Sequence, residues 1–365
     1  MSSILGSLLR AVEQRLPWRR IKADEAVELL HEPDLLGLGR LAAERRRQIV
    51  PGPQVTFVVD RNINFTNICT SGCAFCAFFR PPGHPEGYVL STEEVLEKAR
   101  ETAELGGTGL MLQGGLHPGL GITYYEDLFC SLKSALPLDL HSLSPPEIAY
   151  IAGVDGLETR EVLRRLQAAG LDSLPGGGAE ILVDRVRSRI APRKVEADGW
   201  LRIMREAHEL GMRTTATMMF GSVESHADRV EHMLRVRDLQ DETAGFRAFI
   251  PWSFQPGHTS LEPQVEPATV LDYLRTLAVA RLFLDNVTNI QASWVTQGLK
   301  IGQVSLHFGA NDLGSTMIEE NVVAATGLRT RTNTAELVRV IEGAGFVPVQ
   351  RRNDYTVVRK FDRAT

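Results

Sequence analysis

Three of the four cysteines in this 365-residue chain, Cys69, Cys73 and Cys76, fall within eight residues, and the fourth, Cys130, stands apart. A disulfide framework spreads its cysteines, so this clustering points to a metal or an iron–sulfur cluster. The C-x-x-x-C-x-x-C spacing puts three thiolates on one short loop, enough to ligate three irons of a [4Fe–4S] cube and leave the fourth open. Ferredoxins use four cysteines with two-residue gaps, and structural zinc sites pair their four ligands in knuckles. His84 is within reach of the loop as a fourth ligand if the metal were zinc. Cys130 falls inside the helical pattern 124–136 and reads as a small buried hydrophobe. With three cysteines taken, too few remain for an auxiliary cluster.

The elements that must hold this loop follow from residue 54 onward, where short β-rich runs alternate with amphipathic helices, the pattern of βα units around a parallel sheet. Strands are expected at 55–64, 108–112, 138–143, 171–174, 213–219, 246–251 and 287–292, with a weak eighth at 305–310. Ser91 with Glu94 forms a capping box that opens a helix. Trp200, Ile203, Met204, Ala207 and Leu210 recur at helical spacing and stop at Gly211. Unusual residues follow successive strands: the cysteine loop, Gln113-Gly114-Gly115, 142–144, 176–180, Gly221, Trp252 and Trp294. In a parallel barrel these positions share the carboxyl-end face, where sites assemble. The expected fold is α/β, a TIM-like (β/α) barrel over 51–365 with a C-terminal substrate-capping segment. An N-terminal helical extension, 1–50, precedes it and ends at Pro51-Gly52-Pro53.

Composition narrows the function. Apolar residues at 43% and charged residues at 23% are ordinary for a globular enzyme and exclude collagen-like, disordered and coiled-coil classes. A net charge of −5 with no basic block argues against a nucleic-acid partner. No run approaches the roughly 20 apolar residues of a membrane span and no secretory leader is evident, so the expected location is cytoplasmic, without stable membrane association. The amphipathic stretch 4–16 reads as a packed helix rather than a membrane anchor.

Cys69, Cys73 and Cys76, with the aromatic Phe75 before the last, resemble the signature of the radical S-adenosylmethionine superfamily. That resemblance implies a [4Fe–4S] cluster whose open iron is chelated by the amino and carboxylate groups of S-adenosylmethionine. One electron then cleaves the sulfonium to methionine and a 5′-deoxyadenosyl radical, which takes a hydrogen from the substrate. It also implies that Phe75 packs near the adenine, that the backbone of Gly114 and Gly115 meets the cofactor's amino group, and that Ser144 and Glu180 hold the methionine carboxylate and the ribose hydroxyls. Glycine permits such close approach, although a bare turn is also consistent. Phe75 could be ordinary loop packing, and Glu180 could equally start the next helix.

Within the superfamily, Arg61-Asn-Ile-Asn-Phe-Thr-Asn67, Ile250-Pro-Trp-Ser-Phe-Gln-Pro256 and Ala292-Ser-Trp-Val-Thr-Gln-Gly298 resemble the cyclic dehypoxanthine futalosine synthases of menaquinone biosynthesis. Phe308-Gly-Ala-Asn-Asp-Leu-Gly314 with Glu319-Glu320 is similar across a wider group that includes the deazaflavin-forming synthases. The resemblance implies an oxidoreductase acting on dehypoxanthine futalosine. Hydrogen is removed from ribose C4′, the carbon radical adds to the tethered benzoate ring, and loss of a proton and an electron restores aromaticity. An external one-electron reductant such as flavodoxin or ferredoxin is implied. Asp312, His258 and His84 are candidate bases by placement. Arg61, Arg80 and Lys300 are candidates for the benzoate carboxylate, and Trp252 and Trp294 for the aryl ring. Surface solvation or rim packing would also account for each, and His141 reads as a strand-end or core histidine. Aminofutalosine synthase, which adds the radical to an enolpyruvyl benzoate, and a deazaflavin-type synthase stay open as alternatives. A simple iron–sulfur electron carrier would leave the barrel without a purpose.

Overall fold

The computed structural model describes residues 3–361. Its strands in chain order are β1 (Gln54–Val58), β2 (Asp60–Ile63), β3 (Gly109–Leu112), β4 (Asp139–Leu140) and β5 (Thr214–Phe220). They continue with β6 (Phe246–Ser253), β7 (Asn289–Ile290), β8 (Asp312–Ser315), β9 (Val347–Arg351) and β10 (Val357–Lys360). The first expected strand is therefore one run broken at Val59, and the break lets it serve two sets of partners. β1 lies between β8 and β9, both parallel to it, while β2 pairs with β3, which pairs with β4.

A bridge between His141 and Ser173, and a 3.3 Å hydrogen bond from the Thr215 amide to the Leu174 carbonyl, carry the sheet from β4 to β5. β5, β6 and β7 run parallel, Gln291 bridges to Asp312, and β8 returns to β1. The barrel closes. The fourth expected strand contributes only the bridge at Ser173. The eighth is misplaced by the sequence reading: 305–310 is the end of the helix Trp294–Ser305 and the turns after it, and the strand starts at Asp312. The amides of His307 and Phe308 bond back to the carbonyls of Val304 and Ser305, and Gly309, at φ 99°, ends the turn.

β9 and β10 were not anticipated. They form a hairpin that runs beside β1 and closes the amino end of the barrel, where Gln350 Nε2 donates to the Gly106 carbonyl at 3.1 Å. The helix opened by Ser91 has the expected capping box, with the Ser91 amide donating to Glu94 at 2.7 Å. The helix Ala197–Glu209 buries Trp200, Ile203, Met204 and Ala207. Three helices, Ile4–Glu13, Ala23–Leu30 and Leu35–Ile49, precede the barrel; the second packs on the helices His226–Thr243 and Val270–Phe283, the third on Val270–Phe283, and the first on the other two of the three. Leu5 and Leu8 of the first are buried. Cys130 departs from expectation: it lies on the outward side of the helix Ile122–Ala135 and is exposed.

Where β1, β8 and β9 meet, a buried ion pair ties them. Arg351 Nε and Nη2 donate to the two oxygens of Asp312 at 2.6 and 3.0 Å. The remaining lone pairs of that carboxylate accept from Thr56 Oγ1 at 2.5 Å and from the Gly314 amide at 2.6 Å. Removing one partner of a buried pair strands the other charge. Arg351→Leu should destabilise the fold by about 3–5 kcal/mol. Adding Asp312→Leu should restore part of the loss, as read from urea unfolding of the two variants beside the parent.

Candidate active site

The barrel encloses a cavity of about 280 Å³ that runs from its floor to its mouth. Arg247, Arg351, Asn353 and Tyr355 line the floor, Asp60 and Asn62 the wall, and Gln113, Gly177, Glu180, Trp252 and Trp294 the upper part. A TIM barrel is ordinarily filled by layers of branched apolar side chains. Here those layers give way to polar groups, which leaves room for a ligand.

The cysteine loop adjoins the mouth and is held by backbone on both sides. The Cys69 amide donates to the Arg80 carbonyl at 2.9 Å, the Thr70 amide to Leu116 at 3.1 Å and the Ala74 amide to Ile190 at 2.8 Å. Ser71 supports two of the thiols, its amide 3.4 Å from Cys69 Sγ and its hydroxyl 3.0 Å from Cys73 Sγ. The three sulfurs are not drawn round a single point as for one metal ion. Burial pushes the Cys73 and Cys76 thiols up from their ordinary pKa, and the Lys194 ammonium opposes the shift. Coordinated iron would deprotonate such thiols, as metals do. The donor set, three thiols on one loop, Cys73 buried and Cys69 and Cys76 partly exposed, beside a cation, fits a cluster with one open iron. The site that Cys69, Cys73 and Cys76 would build lies next to the pocket that would take S-adenosylmethionine.

Gly114 and Gly115 fit the close approach expected of them. A Cβ on Gly115 would meet the Ile68 carbonyl oxygen at 2.1 Å and Cys69 Cβ at 2.9 Å, and one on Gly114 would meet the Phe65 ring at 2.5 Å. Only glycine lets this turn lie against the cysteine loop. Glu147, which the sequence reading passed over, fixes it: one oxygen accepts from the Gly114 amide at 3.0 Å, the other from the Ser144 amide and hydroxyl, both at 2.6 Å. Ser144 thus caps its own helix. Its one hydroxyl proton is committed to Glu147, which leaves none in this arrangement for a methionine carboxylate.

Glu180 does not start a helix. It sits at φ 41° after the turn 175–179, where a Cβ on Gly176 would meet the Ala216 Cα at 2.7 Å. Trp200 Nε1 donates to the Gly177 carbonyl at 3.1 Å and Arg187 Nη1 to Ala179 at 2.6 Å, which pins the turn. The buried carboxylate receives Lys194 Nζ at 3.1 Å on Oε1 and faces Arg187 at 3.6 Å, yet Oε2 has no hydrogen-bond partner. A carboxylate oxygen without a hydrogen-bond donor beside the cavity matches a ribose hydroxyl. The Lys194 ammonium also lies 5.1 Å from the Phe75 ring centroid. It therefore links Phe75 to Glu180, and its loop position gave no sequence signal.

Other expected residues lie elsewhere. Asp312 has every lone pair engaged in the seam and cannot take a substrate proton. His84 Nδ1 accepts from the Glu86 amide at 3.1 Å in a surface turn, and His258 is exposed, 2.9 Å from the Ala325 carbonyl. Arg61 turns outward to Glu101 at 2.8 Å and to the Lys98 carbonyl at 2.9 Å. Arg80 pairs with Glu86 at 2.7 Å, and Lys300 is exposed. None of these lines the cavity. Trp252 and Trp294 do, and Trp294 Nε1 donates to the Ser315 carbonyl at 3.0 Å.

Two ionisable groups inside the barrel were not anticipated. Asp60 is buried, accepts from the Ser315 hydroxyl, and is raised by burial to about 6. Arg247 stands at the start of β6. Asp60 and Asn62 carried a readable signal, since alternate polar residues on a strand buried on both faces are out of place. Replacing the open acceptor tests the mouth: Glu180→Gln should weaken S-adenosylmethionine by about 10-fold or more, the scale of a hydrogen bond to a charged group. Equilibrium binding to the cluster-loaded, unreduced protein checks it.

Comparison with known proteins agrees with this geometry. Residues 63–236 match the radical SAM superfamily and residues 243–363 the CofH/MqnC C-terminal region. A cyclic dehypoxanthine futalosine synthase of Halalkalibacterium halodurans is 45% identical over 99% of this chain and 96% of its own. A 5-amino-6-(D-ribitylamino)uracil–L-tyrosine 4-hydroxyphenyl transferase of Methanopyrus kandleri is 46% identical over 88% of this chain and 89% of its own. Among solved structures, the FeFe-hydrogenase maturase HydG of Carboxydothermus hydrogenoformans shares the fold, with a TM-score of 0.76 at 16% identity over 96% of this chain and 80% of that one. The chain belongs to the radical S-adenosylmethionine superfamily, in the group of barrel enzymes that carry the CofH/MqnC C-terminal region.

Proposed function

We propose that the chain is a cyclic dehypoxanthine futalosine synthase, which closes dehypoxanthine futalosine on itself through ribose C4′ in menaquinone biosynthesis. The observation that carries this reading is a match at 45% identity, essentially end to end in both chains, to an enzyme of that name. The [4Fe–4S] cluster and S-adenosylmethionine supply, when bound, the hydrogen abstraction that starts the reaction. Cys69, Cys73 and Cys76 would hold the cluster, with Gly114 and Gly115 at the cofactor's amino group and Phe75 and Glu180 around the nucleoside.

The chain's own residues do the rest. Trp252 and Trp294 give the aryl ring flat apolar walls, and the segment 316–323 covers the mouth with Glu320, Val322 and Val323 on its inner side. Once C4′ has joined the ring, the ring carbon must lose a proton. We assign that proton to Asp60, on the cavity wall near the floor, in place of the bases expected from sequence; the other carboxylates of the lining, Glu180 and Glu320, stand toward the mouth. The accompanying electron needs an acceptor, which the cluster that Cys69, Cys73 and Cys76 would hold, or an external carrier of the flavodoxin or ferredoxin class, would supply. Among the described residues no helix is long and apolar enough to cross a membrane, which is consistent with a cytoplasmic enzyme.

A base acts when ionised, so turnover should rise with pH through about 6, where Asp60 titrates, and level off above it. Asp60→Asn should remove that limb and cost on the order of 10²–10⁴ in kcat, the usual weight of a general base. The activity itself is tested anaerobically with reconstituted protein, dithionite, S-adenosylmethionine and dehypoxanthine futalosine. Free 5′-deoxyadenosine should rise in step with a product two hydrogens lighter than the substrate. Slow deoxyadenosine with untouched substrate would sink the cyclase reading, and incorporation of the deoxyadenosyl group into an enolpyruvyl benzoate would replace it by aminofutalosine synthase.

A further inference from the structure

The cavity holds a half-buried cation whose hydrogen-bond partners are all neutral. Arg247 Nη2 donates to Ser173 Oγ and, at 3.2 Å, to His141 Nδ1, while its buried Nε has no partner. Among the described residues no carboxylate forms an ion pair with it. The other guanidinium on the floor, Arg351, is engaged by both oxygens of Asp312. Asp139, Asp354 and the Tyr355 hydroxyl act on Arg247 only at longer range, and Arg351 opposes them. Burial brings Arg247 down to about 10, so it stays charged at neutral pH.

His141 cannot balance that charge. Burial and the two nearby arginines hold it neutral, well below its ordinary pKa, and with Nδ1 accepting, its proton sits on Nε2. An unpaired charge in a low-dielectric interior is strongly unfavourable, and a cavity that ends on one is complete only with an anion in it. The planar guanidinium fork matches a carboxylate in two-point contact. Position then sets orientation. Arg247 and Trp252 are five residues apart on β6, about 17 Å at the usual strand rise. An anionic group on the floor therefore sends the rest of the molecule up the wall toward Trp252 and Glu180.

We propose that Arg247, seated by Ser173 and His141, is the carboxylate anchor of this pocket: it selects an aryl carboxylate and fixes which end of the substrate faces the cysteine loop. The assignment of a benzoate as the occupant rests on the cyclase reading above. It replaces Arg61, Arg80 and Lys300 in that role.

The test uses cluster-loaded enzyme and two substrates, dehypoxanthine futalosine and its benzamide analogue. The parent should prefer the carboxylate in KM by on the order of 100-fold, the scale of a buried charge pair. In Arg247→Gln that preference should collapse, with the benzamide little changed, and Arg247→Lys should recover part of it. A preference that survives Arg247→Gln overturns the anchor. Should that variant fail to load its cluster, Ser173→Ala gives the same comparison, with a smaller loss expected and an unchanged preference overturning the proposal. If the parent turns over neither substrate, the cyclase reading fails by itself. Calorimetric titration of benzoate against benzamide, without turnover, then decides the anchor: benzoate bound by the parent and not by Arg247→Gln supports it, and equal binding by both proteins refutes it.

Discussion

A barrel with a polar interior can close only if its buried charges find partners, and the Asp312–Arg351 pair meets that condition at the seam. It ties together three neighbouring strands of one sheet, reaching across the middle one: β8 supplies the carboxylate, β9 the guanidinium, and β1 the Thr56 hydroxyl. A buried pair of this kind adds little net stability over a well-packed apolar seam, and its value lies in the geometry it imposes. With Arg351 held there, the turn after β9 brings Asn353 and Tyr355 beneath the barrel, and Tyr355 lies 3.9 Å below the Arg351 guanidinium. The floor of the cavity is thus made by the C-terminal hairpin rather than by apolar layers.

From that floor upward the charges are graded by how completely they are matched. Arg351 and Asp312 satisfy each other. Asp60, which forms no ion pair among the described residues, is held by one hydroxyl and is left able to exchange a proton at about pH 6. Arg247 has only neutral hydrogen-bond partners. At the mouth, Glu180 is flanked by Lys194 and Arg187 yet keeps one oxygen open. Fully matched groups hold the fold, and partly matched ones face the cavity. Orphaned buried atoms are rare in folded proteins, and those of Arg247, Asn62, Asn353 and Glu180 all belong to residues on this one surface.

The cysteine loop, the glycine turn and the barrel class were legible in sequence because each depends on residue type at fixed spacing. The failures share a different cause. Arg61 was placed on the right strand but with no regard to its face: on β2 the inward positions are Asp60 and Asn62, and the period of two sends Arg61 out to Glu101. Asp312 was a candidate base by placement alone, yet three of its four hydrogen bonds come from Thr56 and Arg351, far away in sequence, which no local pattern reveals. Arg247 was missed for a more general reason. Barrel sites are sought at the carboxyl ends of strands, and this residue stands at the amino end of β6, in the cavity only because the interior above it is hollow.

The division of the chain between its two matched regions follows the division of labour in the cavity. The first, 63–236, contains the cysteine loop, the glycine turn, Glu147, Glu180 and Lys194, all of them arranged around the mouth. The second, 243–363, contributes Arg247, Trp252, Trp294, Arg351 and Tyr355, which are the floor and much of the wall. Relatives with different names match this chain almost equally well, so overall identity does not distinguish them. Whatever separates a cyclase from a transferase on this scaffold must act through the groups that meet the substrate below the mouth. A lone guanidinium there is suited to do so, because a pocket lacking the matching anion leaves the cation unpaired, and that penalty discriminates more sharply than any difference in apolar fit.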